Sequence, residues 1–143
     1  MTVREIDRRH PVHSTVPRTM VRILLGAAMT WAGISHLTVA RQEFRAQVPE
    51  FVPLDPDVTV LASGVAEISL GAALMLLVRR QATVGWVAAV FFTAIFPGNV
   101  AQWLHHRDGF GLDTDTKRFV RLLFQPVLIA VALWATNALR TRR

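Results

Sequence analysis

The chain has 143 residues, 52% of them apolar, with 16 Lys and Arg against 10 Asp and Glu, a formal net charge of +6 and no cysteine. Length allows one compact domain, and the lack of cysteine excludes thiol relays, disulfide frameworks, iron–sulfur clusters and Cys-ligated zinc. The charges sit in short clusters between long uncharged stretches, a pattern that argues against disorder and against an ordinary soluble globule.

Residues 1–17 read as a polar tail containing Arg4, Arg8, Arg9, Pro11 and Pro17. The tail is long for the n-region of a signal peptide, and no small-x-small cleavage site follows the first apolar stretch, so an uncleaved first span is expected. Four apolar segments follow, at 20–37, 58–78, 82–104 and 119–139. Each is about 18–23 residues long, which suits a hydrocarbon core of roughly 30 Å at about 1.5 Å per residue. No alternating ten-residue pattern points to a barrel, and no polar stripe at period 3.6 points to a soluble bundle. The expected fold class is all-α: an integral membrane four-helix bundle over residues 18–139, ending in a basic segment at 140–143.

The connections agree with these boundaries. Between the first two spans, residues 38–57 hold a short amphipathic stretch, with Phe44 and Val48 four apart, stopped by Pro49. This stretch is expected on the membrane surface or folded over the bundle. Asp55-Pro56-Asp57 offers a capping acid and a proline at the first helical position of span two, and Asp113-Thr114-Asp115-Thr116 offers caps to span four. His105, His106 and Asp108 invite a metal reading, but adjacent histidines point apart on a helix, and a solvated loop is the expectation.

Ten basic residues fall on the side of the termini and of the Arg79-Arg80 turn; six fall on the side of the two other connections. The positive-inside rule then places both termini in the cytoplasm. The basic excess is an orientation and anionic-lipid signal, so the lipid bilayer is the expected partner and nucleic acid drops out. The four tryptophans read as interface or bundle anchors.

Ionisable and amide groups inside apolar spans are costly and require partners. Five stand out: His36, Glu67, Asn99, Arg121 and Gln125, on four different helices. Counting about 1.5 Å per residue puts Glu67 near the midplane and the others in the outer half. Gly33 precedes His36 by three, and Gly64 and Gly71 flank Glu67, so these groups are expected on the packed face and not the lipid face. Each has a plainer reading: a structural ion pair for Glu67, an idle interfacial histidine for His36, snorkelling for Arg121 and its neighbour Arg118, and interhelical hydrogen bonds for Asn99 and Gln125. Pro97 and Pro126 free carbonyls that bend the helices or add acceptors. Haem ligation is not expected, because only one histidine lies in a span.

The same residues carry a family resemblance. Gly33-Ile34-Ser35-His36-Leu37, then Val48-Pro49-Glu50-Phe51-Val52-Pro53-Leu54, then the run from Ser63 to Gly71, then Phe96-Pro97-Gly98-Asn99, and finally Arg121 through Gln125 follow in order. In that order and spacing, over about residues 21–135, the chain resembles the DoxX-like family of small bacterial four-helix membrane proteins. The resemblance implies the four-helix membrane fold and a multi-pass protein of the bacterial cytoplasmic membrane. Relatives in that family include a membrane subunit associated with thiosulfate oxidation by quinone, and partners of oxidative-stress enzymes. The absence of cysteine separates this chain from the thiol-using members.

Two functional expectations follow. The first is a redox-associated module that binds a quinone or another small lipophilic ligand. His36, Glu67 and Arg121 would hydrogen-bond or exchange protons with its oxygens, Asn99 and Gln125 would orient it, and electrons would come from a partner enzyme. The second is a non-enzymatic assembly or scaffold subunit whose exposed connection contacts a membrane partner. A small-solute transporter fits less well, since four spans without an inverted repeat would need to assemble as a homo-oligomer.

Overall fold

A computed structural model describes residues 13–109 and 111–140. The expected tail over residues 1–12, and residues 141–143 of the basic end, lie outside the described residues. Among the described residues five α-helices follow in order: α1 (Val16–Leu37), α2 (Arg41–Arg45), α3 (Pro56–Leu76), α4 (Gln81–Leu104) and α5 (Asp115–Ala135), with one 3-10 turn at Val78–Arg80. The four long helices are each long and apolar enough to cross a membrane. No strand occurs among the described residues.

Local chemistry sets the helix ends. Asp55 takes the N-cap of α3 and accepts from the Asp57 amide at 2.8 Å, with Pro56 opening the helix. Thr114, of the four candidates before span four, caps α5 by accepting from the Lys117 amide at 3.3 Å. α5 therefore starts at Asp115, four residues before the apolar run, and ends at Ala135. Its end is a Schellman turn: Asn137 has φ 57°, its amide donates to Trp134 O, and the Ala138 amide donates to Leu133 O. α4 closes in the same way around His106, with φ 50° and the Arg107 amide returning to Gln102 O at 3.0 Å.

α1 packs most closely on α3 and α4 on α5, and the contacts of α1 with α5 and of α3 with α4 close the bundle. The α1–α3 seam is built on glycine. A Cβ on Gly33 would lie 2.6 Å from Gly64 O, and one on Gly26 would lie 2.7 Å from Gly71 O. The pairs 26/71 and 33/64 each sum to 97, so one antiparallel register brings the two backbones together twice. The buried residues of α1 (Arg22, Leu25, Gly26, Met29, Gly33 and His36) recur at steps of one, three or four, as a single packed face requires.

The interior is unlike that of a water-soluble bundle. Among the described residues, twelve buried apolar side chains are matched by ten buried polar or charged ones, while Trp31, Leu24 and Val90 are exposed. In none of the four spans is more than 39% of the apolar window buried. An apolar exterior around a partly polar interior suits lipid, where burial of apolar surface between helices gains little. The apolar core, with Leu25, Met29, Leu74, Val84, Phe92 and Ala132, lies toward the end of the bundle that carries the termini. Six of the ten buried polar groups (His36, Glu67, Asn99, Gln102, Arg118 and Gln125) lie toward the other end, beneath the two connections, and Arg22, Gln81, Thr136 and Asn137 lie at the end of the termini.

Candidate functional site

The α1–α3 connection folds over its end of the bundle, which settles the two expected placements in favour of the second. Gly98 permits it: a Cβ there would lie 2.6 Å from Gln47 O, so the connection rests directly on the backbone of α4. Arg107 holds the same segment from the α4–α5 connection, donating to Val48 O at 3.0 Å, Ala46 O at 3.3 Å and Glu50 Oε1 at 3.0 Å. Gln47 Nε2 donates to Gln102 Oε1 at 3.2 Å, and Arg41 pairs with Asp57 across the connection.

All five polar residues singled out in the spans meet beneath this cover. His36 and Glu67 are buried, and His36 Nδ1 is 2.9 Å from Glu67 Oε2. That nitrogen also lies 2.8 Å from Ala32 O, one turn back in α1. The hydrogen is aligned with the carbonyl, because Glu67 Oε2 has no hydrogen-bond donor among the described residues. The contact is thus a close approach and not a formed hydrogen bond. On the facing helices, Asn99 Nδ2 donates to Gln125 Oε1 at 3.0 Å and Gln125 Nε2 donates to Phe92 O at 2.7 Å. Arg121, half-buried on α5, donates from Nε to Asn99 Oδ1 at 3.3 Å and interacts electrostatically with Glu67. The order is His36, Glu67, Arg121, Asn99, Gln125: one polar chain from α1 to α5.

Phe92 O is not one of the carbonyls released by the two prolines. Pro97 frees Thr93 O and Pro126 frees Leu122 O, whereas Gln125 uses the acceptor one position before Thr93.

A cavity of about 200 Å³ lies between the connection, α3 and α4. His36, Phe44, Val60, Ser63, Ile95 and Pro97 are among the residues that line it. Phe44 stacks on the His36 imidazole with ring centroids 3.2 Å apart and planes 19° apart, which fixes the ring plane. With Nδ1 turned to Ala32 and Glu67, Nε2 has no hydrogen-bond partner among the described residues. It is the ring nitrogen left for a ligand. Neutral imidazole with hydrogen on Nδ1 accepts at Nε2; the imidazolium, with the Glu67 carboxylate beside it, donates there. The site can therefore face either a hydroxyl or a carbonyl oxygen.

Other polar residues make contacts that the sequence does not show. Arg118 is 5% exposed and does not snorkel: it bonds Asp108, Asp115 Oδ1 at 2.8 Å and Arg107 O at 3.2 Å. Arg22, at 3% exposure, donates to the carbonyls of Leu74 and Met75 in the last turn of α3, where the helix dipole favours a cation. Arg18 bonds Asn137 Oδ1 and lies over the Trp134 ring, 5.0 Å from its centroid. His106, placed in a solvated loop by the sequence, is exposed, with Nδ1 2.6 Å from Asp115 Oδ1. These contacts join helix ends, and a basic residue at the end of an apolar run looks the same in sequence whether it is buried or reaches to the headgroups.

The chain belongs to the family described as a domain of unknown function, DUF8561, whose model matches residues 25–136. The match takes in α1 from Leu25 onward, the whole of α3, α4 and α5, the α1–α3 and α4–α5 connections and all five clustered residues. No curated protein and no solved structure matches the chain.

Proposed function

We propose that the chain is a redox-associated membrane module of the bacterial cytoplasmic membrane, DoxX-like in kind, that binds the ring of a quinone or a similar small lipophilic carbonyl compound. The observation that carries this reading is the cavity of about 200 Å³ with His36 on its wall and Glu67 behind the imidazole. A void of about 150 Å³ accommodates benzene, and whole drug-sized ligands need about 300 Å³ or more. The cavity thus fits one substituted ring, with any tail left in the lipid. His36 Nε2 would accept from a ring hydroxyl or donate to a ring carbonyl, with Glu67 stabilising the imidazolium when a proton resides there. Arg121 balances the Glu67 charge, and Asn99 and Gln125 hold Arg121 in place. The electron donor is a partner enzyme in or on the membrane, and both termini face the cytoplasm, a reading supported by the ten of sixteen basic residues on the side of the termini.

Purification of the chain from its native membrane, followed by mass spectrometry of co-extracted lipids, tests the reading. A single-ring quinone or phenol retained by the wild type and lost from His36→Ala is expected. Repeated recovery without such a compound contradicts it.

A second reading, an assembly or scaffold subunit, draws on the connection itself, where Phe51 and Leu54 are exposed at 76% and 57%. Pull-down from native membranes with and without residues 38–57 separates the two. A partner captured only through that segment, with no ring ligand, favours the scaffold.

A further inference from the structure

A second concavity, of about 570 Å³, lies away from the His36 cavity, along α5 and beneath Leu112 of the α4–α5 connection. Its α5 wall has two parallel stripes at four-residue steps: Lys117, Arg121 and Gln125, and beside them Val120, Phe124 and, four further on, Leu128. The lining is graded. Cationic groups occupy the connection end, an amide follows, and apolar side chains alone remain at the deep end. Among the described residues no acidic side chain lines it, and Asp113 reaches only Lys117 at its mouth.

Length and charge together specify what fits. From Lys117 to Leu128 is eleven residues of helix, about 16 Å. One leaflet of the hydrocarbon core is about 15 Å deep. The groove therefore runs from the headgroup boundary to the midplane, the reach of one acyl chain. At its mouth, Lys117 Nζ donates to Asp113 Oδ1 at 2.6 Å and to Gly111 O at 3.4 Å, which leaves the third ammonium hydrogen for an anion. We propose that this groove is a binding site for an anionic phospholipid of the leaflet on that side. One acyl chain lies against Val120, Phe124 and Leu128, and the phosphate meets Lys117, with Arg121 below it.

A second copy of the chain is the rival occupant, and charge disfavours it. A two-fold axis along the membrane normal would set Lys117 and Arg121 of one protomer against the same two cations of the other. The groove and the His36 cavity have no lining residue in common, although Arg121 and Gln125 of the groove also belong to the polar chain that ends at His36.

The test uses the full chain in nanodiscs made from equal parts of phosphatidylglycerol and phosphatidylcholine, with bound lipid read by native mass spectrometry. Phosphatidylglycerol should be enriched on the wild type. Lys117→Gln should cut that enrichment about fivefold, the loss expected for one interfacial cation. Arg79→Gln, which removes an exposed cation at the opposite end of the bundle, should leave it unchanged. Leu128→Trp, which fills the deep end, should lower retention of both lipids. Equal retention of the two lipids overturns the proposal, as does equal loss in Lys117→Gln and Arg79→Gln, which would indicate diffuse surface charge. An unaltered Leu128→Trp overturns the chain placement, and a photo-crosslink from position 124 to a second protomer in place of lipid overturns the occupant.

Discussion

His36 and Glu67 approach to 2.9 Å inside the bundle, yet the hydrogen on His36 Nδ1 points to Ala32 O and leaves Glu67 Oε2 without an aligned donor. A buried carboxylate without an aligned donor depends on its charged neighbour Arg121. Removing one partner of a buried pair typically costs about 3–5 kcal/mol, whereas loss of a neutral hydrogen bond costs about 1. Glu67→Ala should therefore destabilise the protein by about 3 kcal/mol. Glu67→Gln should fold tolerably but lose ring-ligand binding, because the amide keeps shape and not charge. Double-mutant cycles of Glu67→Ala with His36→Ala and with Arg121→Ala, by thermal unfolding in nanodiscs, should each recover part of the loss. Zero coupling in both cycles would mean that the three groups do not form one site.

The glycine seam gives a prediction that does not depend on ligand. Because a Cβ on Gly33 would reach within 2.6 Å of a backbone oxygen, even alanine there must push α1 and α3 apart. Gly33→Ala should cost about 1–3 kcal/mol and Gly33→Leu more, while Val78→Leu, at an exposed position, should be nearly neutral. Melting in detergent that left all three alike would contradict the 26/71 and 33/64 register.

Arg22 closes the opposite end of the bundle through the carbonyls of Leu74 and Met75. Hydrogen bonds from a charged donor contribute about 1.5–3 kcal/mol, so Arg22→Ala should lose about 2 kcal/mol with ring-ligand affinity unchanged in the folded fraction. Hydrogen exchange at 73–77 should rise in the variant. Unchanged protection there would remove Arg22 from its capping role.

The α4–α5 connection carries a pH dependence. The Lys117 ammonium, hydrogen-bonded to Asp113, holds that carboxyl below the usual aspartate range. A depressed folded pKa stabilises above the unfolded value and is lost as pH falls through the folded one. Asp115, held low by its hydrogen bonds with His106 and Arg118, acts in the same direction. Protection of 111–117 against hydrogen exchange should therefore be constant near neutrality and decline in acid, and Asp113→Asn should reduce that decline. An identical acid profile in wild type and variant would assign the change to another group.

Much of this architecture is readable without coordinates, and the reasons are local. Apolar runs of membrane length mark four helices, and Asp55-Pro56 marks an N-terminus, because both signals lie within a few consecutive residues. His36, Glu67, Asn99, Arg121 and Gln125 stand out because each interrupts an apolar run at a cost that only a partner offsets. Their pairing is not readable in the same way. Nothing in the sequence joins Asn99 to Gln125 over Arg121, or seats Phe44 from a five-residue helix on the His36 ring. Such contacts depend on helix rotation and on where Gly98 lets the connection settle. The third span ends at residue 104 as expected, but the end of α5 at Ala135 was hidden, since Asn137 adopts the left-handed conformation that glycine usually marks.

Gly98 also connects the fold to the cavity. A methyl group there collides with Gln47 O, so Gly98→Ala should lift the connection and weaken ring binding while the four spans stay intact. Circular dichroism unchanged beside a raised dissociation constant is the expected pair of results. Unaltered binding would show that the connection does not shape the cavity.

The most direct test of ring binding is photo-crosslinking of the full chain in nanodiscs with a photoactivatable single-ring benzoquinone analogue, mapped by peptide mass spectrometry. The account predicts labels on Phe44, Ser63 and Ile95 around the His36 cavity, competed by unlabelled quinone and lost in His36→Ala. Labels confined to the outer faces of the helices, or insensitive to competitor and to His36→Ala, would contradict it.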